Sequence, residues 1–83
     1  MSENGFEYDT LTPEDRLGIV QERLRQLEAE HYNAALTRRA AEQASDVGAE
    51  QRDEMLRRID AQLQTLEAAI RLHRDERARF AAG

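Results

Sequence analysis

Ser45-Asp46-Val47-Gly48 is the stretch whose reading decides this fold. Ser and Asp compete with helical hydrogen bonding through their own side chains, and Gly tolerates a left-handed helix cap. On either side of it runs the same three-four spacing of residues. Before it come Leu17, Val20, Leu24, Leu27, His31, Ala34, Arg38 and Ala41; after it come Leu56, Ile59, Leu63, Leu66, Ile70, His73, Arg77 and Phe80. Each run is the heptad signature of a coiled-coil seam. The two runs are out of phase. Continued from Ala41, the first reaches Ser45, Gly48 and Arg52, and then needs two four-residue steps to meet Leu56. A single long helix would absorb that as a stutter, whereas a turn resets the phase without strain. The spacing therefore predicts an all-α fold, an antiparallel two-helix coiled-coil hairpin with its turn at 45–48.

The helix boundaries follow from local chemistry. Thr12 is a good N-cap, Pro13 suits the first helical position, and Glu14 and Asp15 place negative charge where the helix dipole favours it. Thr12 and Asp15 also have the spacing of a capping box. The first helix is predicted over about 13–44 and the second over about 49–80. Four acid-to-Arg steps at i,i+4 support the second: Asp53–Arg57, Glu54–Arg58, Glu67–Arg71 and Asp75–Arg79. Residues 1–11 show no helical period and read as an extended or disordered acidic and aromatic tail ahead of the hairpin at 12–83. Within it, Phe6-Glu7-Tyr8-Asp9-Thr10-Leu11 alternates aromatic and acidic residues, a pattern suited to an added strand or a groove anchor.

With the turn centred near residues 46–47, Leu27 is expected opposite Leu66, Leu24 opposite Ile70, Val20 opposite His73 and Ala34 opposite Ile59. His73, Arg38 and Arg77 read as polar seam residues. His73 would help to fix register, while the two Arg lay their stems along the seam and keep their heads in water. A lone two-helix hairpin leaves each seam half open, and chains of about this size usually need another element to pack against. A second copy supplies one, so the hairpin is expected to dimerise into a four-helix bundle with C2 symmetry. The expected oligomer or partner interface comprises Leu17, Ile19, Val20, Leu24, Leu27, Leu63, Leu66, Ile70, Leu72 and Phe80. Ile19 and Leu72 lie off the seam at nearly the same height, and they point to the open end of the hairpin as a contact surface.

Composition excludes several function classes. The net charge is −5, with eight acids against three Arg in residues 1–30 and nine against nine thereafter. A neutral-to-acidic surface argues against nucleic-acid binding, which needs a clustered basic face. Cys is absent, which removes disulfides and thiolate metal sites. No segment approaches the roughly 18 apolar residues of a membrane span, and the first residues lack a secretory pattern. A cytoplasmic address is the expectation. Ser2 and Ser45 have no activating His in context, and Gly5, Gly18, Gly48 and Gly83 form no phosphate loop, so no enzyme and no cofactor are expected. One chemical alternative stands beside the structural reading. Glu28 and His31 make a Glu-x-x-His step with Glu67 near the same layer, the spacing used by carboxylate and His metal sites in helical bundles.

In architecture the chain resembles small helical hairpins that dimerise into four-helix bundles, such as the RNA-binding Rop-type plasmid proteins, without their basic groove chemistry. The stretch Leu11-Thr-Pro-Glu-Asp-Arg-Leu17, followed by Arg23-Leu-Arg-Gln-Leu-Glu-Ala-Glu-His-Tyr32, resembles short coiled-coil proteins of actinobacteria and their phages over most of the chain. That resemblance implies no particular activity and points to a phage accessory role, virion-associated if the chain is phage-encoded. The function expected from the residues themselves is that of a non-enzymatic, self-associating hairpin with an assembly, adaptor or structural role.

Overall fold

The computed structural model describes residue 8 and residues 10–82. Two helices pack against each other as an antiparallel hairpin, α1 over Pro13–Gln43 and α2 over Ala49–Ala82. The all-α hairpin reading of the paired heptads is thus the observed fold, with the turn in the place where the phase breaks.

Both ends of α1 are closed by identifiable groups. At the start of α1 the capping box forms in full: the Asp15 N–H donates to Thr12 Oγ1 at 3.0 Å, and the Thr12 N–H donates to Asp15 Oδ2 at 3.1 Å. At its other end α1 does not leave through a left-handed glycine. The chain exits at Ala44 in an extended conformation, φ −68° and ψ 121°, with the Ala44 N–H bonded back to the Ala41 carbonyl. The cap of α1 comes from the other helix: an Arg52 Nη2–H donates to the Ala44 carbonyl. A cation there meets the negative end of the α1 dipole. Gly48 instead opens α2, its carbonyl accepting the Arg52 N–H at 2.9 Å.

The core is a single seam. Leu24, Leu27, Ala34, Leu66 and Ile70 form the buried cluster, with Leu63 and Ala69 packed against it, and Ala41 is buried nearer the turn. Leu17, Val20, Leu56, Ile59 and Phe80 lie on the same seam but remain half-buried. The reason is geometric, because two helices cover only one face of each other, and no side chain here is enclosed on all sides. The hairpin is accordingly elongated, with extents of 55 × 25 × 18 Å.

One seam position differs from the heptad reading. Arg77 is exposed, and Glu76 takes the half-buried place between His73 and Phe80. Glu76 lines the open-end groove with Tyr8, Leu11, Arg16 and Phe80, so the segment leading into α1 covers that side of α2 while Arg77 faces away from it.

Gly18 is the one glycine inside α1, and a Cβ built on it meets nothing within 4 Å. Replacing Gly18 with Ala should therefore stabilise the hairpin by about 1 kcal/mol through helix propensity alone. A thermal melt followed by far-UV circular dichroism checks this, and a lower midpoint in the variant would contradict it.

Candidate functional site

The chemistry-bearing side chains gather on the two broad flanks of the hairpin. One flank is charged and holds three polar links between the helices. Arg38 reaches Asp60 with Nε at 2.6 Å from Oδ1 and Nη2 at 3.4 Å from Oδ2, while its Nη1 bonds Glu42 at 2.6 Å. His31 Nε2 lies 3.0 Å from Glu67 Oε2, and Arg74 Nη2 donates to Glu28 Oε2 at 2.9 Å. Positions 31 and 38, like 60, 67 and 74, recur at intervals of seven and so share one edge of their helix. A shallow groove between the lower two links is lined by Glu28, His31, Tyr32, Glu67, Arg71 and Arg74.

The partners lie further along α2 than the backbone levels suggest. The expected register puts His31 near residue 62 or 63 and Arg38 near 55 or 56, yet their partners are Glu67 and Asp60, about one turn on. Glu28 finds Arg74, roughly two turns on. In a helix every side chain leans towards its own N-terminus. In an antiparallel pair the two leans run towards each other along the seam, so a long residue meets one placed later on the facing helix. The two longest partners, Arg74 and Glu28, show the largest offset.

His73 does not fix this register. Its Nδ1 lies 2.7 Å from the Ala69 carbonyl of its own helix, which makes Nδ1 the protonated donor and directs that bond along α2 rather than across to α1. The heads of Arg38 and Arg77 also part company. Arg38 engages two carboxylates, while Arg77 stands exposed. Of the four i,i+4 pairs read along α2, Glu54–Arg58 forms at 3.3 Å. Arg57 turns to Glu54, Arg79 to Glu76, and Glu67 crosses to His31.

The Arg38 guanidinium holds the Asp60 carboxyl below its ordinary value, chiefly through their hydrogen bond, and Asp60 raises Arg38 in return. A carboxyl lowered on folding contributes stability that is present above its unfolded value of 3.8 and is lost as pH falls through the folded one. Asp60→Asn should therefore lower stability at neutral pH and flatten the acid limb of a pH–melting profile below about pH 4. A variant profile parallel to that of the wild type would contradict the link. Both groups are solvated, so the effect is that of a surface pair.

The Glu28, His31 and Glu67 positions do fall along one groove, but Glu28 is taken by Arg74 and His31 by Glu67. Among the described residues no group of three His, Asp or Glu side chains is placed to hold a metal ion.

The other flank carries no polar link between the helices among the described residues. Here Ile19 and Leu72 are exposed, at 56% and 64% of their full surface. Ile19 lines a groove at the open end with Tyr8, Leu11, Val20, Glu76 and Phe80. Tyr8 is held there: its carbonyl accepts from the Leu11 N–H at 3.0 Å and from Arg16 Nη2 at 3.3 Å, and the Arg16 guanidinium lies 5.6 Å from its ring centroid. Phe6 lies outside the described residues, as does most of the tail read as extended or as a binding motif. Of the remaining residues expected at an interface, Leu24, Leu27, Leu66 and Ile70 are spent in the core of the hairpin itself. Leu17, Val20, Leu63 and Phe80 are half-buried along it.

Sequence reasoning missed Arg16, Arg52 and Asp60. The first two carry seam-facing stems, which a search restricted to apolar residues passes over. Among the described residues no helix is long and apolar enough to cross a membrane. No family model, no curated protein and no solved structure matches this chain.

Proposed function

We propose that this chain is a non-enzymatic, self-associating helical-hairpin module with an assembly, adaptor or structural role. The observation that carries the proposal is the half-open seam. Six aliphatic or aromatic seam residues remain partly exposed beside a core one residue thick, and Ile19 and Leu72 stand uncovered on one flank. Burying such surface is worth about 25 cal/mol per Å2, and a second hairpin is the partner always present at the chain's own concentration. The polar links of the charged flank suit the same role. They tie the two helices together with residues whose hydrogen-bonding capacity is used up locally, rather than presenting an unpaired catalytic group to a substrate.

Folding coupled to association makes thermal stability depend on concentration. The melting midpoint should rise steadily between about 2 and 200 μM chain, by several degrees for a dimer of this size. A midpoint that is constant over that range would remove self-association as the basis of the fold.

A further inference from the structure

Resting on that self-association, we infer that the flank bearing Ile19 and Leu72, which no polar link between the helices crosses among the described residues, is the surface on which a second copy of this chain docks, with the two-fold axis parallel to the long axis of the hairpin. Three observations select this flank and this occupant. First, the two most exposed aliphatics among the described residues come from different helices but lie on one side. Ile19 shares a groove with Glu76, and Leu72 stands one turn before Glu76 on the same ridge of α2.

Second, the flank is prepared for burial in a way its opposite is not. Among the described residues all the polar links joining the facing edges of the helices lie on the other side. On this side Thr37 and Thr65 donate their hydroxyls to carbonyls of their own helix, at 3.0 and 3.1 Å. Polar groups satisfied within one helix lose little when water is removed. Third, the area suffices. A face with edges of 55 and 25 Å exceeds the roughly 800 Å2 that each partner gives to a standard interface.

The symmetry follows from the levels of the two aliphatics. An axis along the bundle sets α1 against α2 of the second copy, antiparallel, so that Ile19 opposes Leu72 twice and an apolar layer of four closes at the open end. Every neighbouring helix pair is then antiparallel, which also suits the dipoles. A two-fold axis across the bundle instead sets both residues against the turn end of the second copy, where Thr37 and Arg58 occupy the flank.

The absence of Cys makes the test direct. A spin label on Ser45→Cys reports the distance between turns in the dimer of the full chain. The axial arrangement places the labels about 20–30 Å apart, within the width of four packed helices. The transverse arrangement places them near the 55 Å length of the hairpin. Ile19→Glu combined with Leu72→Glu should weaken dimerisation by on the order of 100-fold or more, so that dimer and helicity are lost together at a correspondingly higher chain concentration and both return when the concentration is raised. Labels near the full length, or a double variant that associates as tightly as the wild type, would overturn the docking flank but leave self-association standing. A wild type that stays monomeric and folded would overturn both and assign the flank to another occupant.

Discussion

Replacing Leu27 with Ala is expected to unfold most of this protein at 37 °C. Leu27 is 3% exposed and sits at the centre of a buried cluster of only five residues. Truncating a buried Leu costs about 2–5 kcal/mol, the removed methyl groups plus the cavity they leave. A chain of this size has about 4–12 kcal/mol of stability in total, so the loss takes a large share of it. One kcal/mol moves the midpoint of such a domain by roughly 4–8 °C, which puts the expected drop above 8 °C. Leu36 provides the control, because it lies on the outer face of α1, 41% exposed. Leu36→Ala should melt close to the wild type. Similar melts for both Ala variants would mean that the seam is not where the stability resides.

Ala34→Glu is expected to be at least as damaging, for a different reason. Ala34 is buried in the same cluster, with Ala41 one heptad on towards the turn. Small side chains there set how closely the two helices approach. A Glu must find volume that the seam lacks, at a cost of about 1–3 kcal/mol for overpacking. It also carries a carboxylate into a cluster made entirely of hydrocarbon, where an unpaired charge costs several kcal/mol more. Loss of helicity by circular dichroism at 25 °C is the expected result. Ala40→Glu makes the same chemical change on the exposed face and should leave the spectrum unchanged. Equal behaviour of the two would contradict the placement of the seam.

How much of this could be read from the residues alone depends on the reach of each signal. The seam was legible because it is a spacing rule carried by many residues: Leu24, Leu27, Leu66 and Ile70 all stand where the three-four pattern places them. The turn was legible because Ser45 to Gly48 and the phase break coincide. The polar links were not. Their partners depend on the lean of long side chains, so Glu28 passes the residues at its own level and meets Arg74. Arg77 was misplaced because a heptad count sees only the facing helix, whereas the segment around Tyr8, Leu11 and Arg16 lies over the side of α2 that carries Glu76. Arg52 carried no periodic signal for its capping role, since capping the Ala44 carbonyl requires the two helices to be packed already. The off-seam positions of Ile19 and Leu72 were visible as departures from the pattern. Their sharing of one flank needed the register of the hairpin.

Sedimentation equilibrium of the full chain at micromolar concentration tests self-association most directly. A self-associating hairpin gives a helical species of twice the 9.5 kDa chain mass, dissociating and losing helicity together on dilution. A fully helical, cooperatively melting species at the mass of one chain would contradict it.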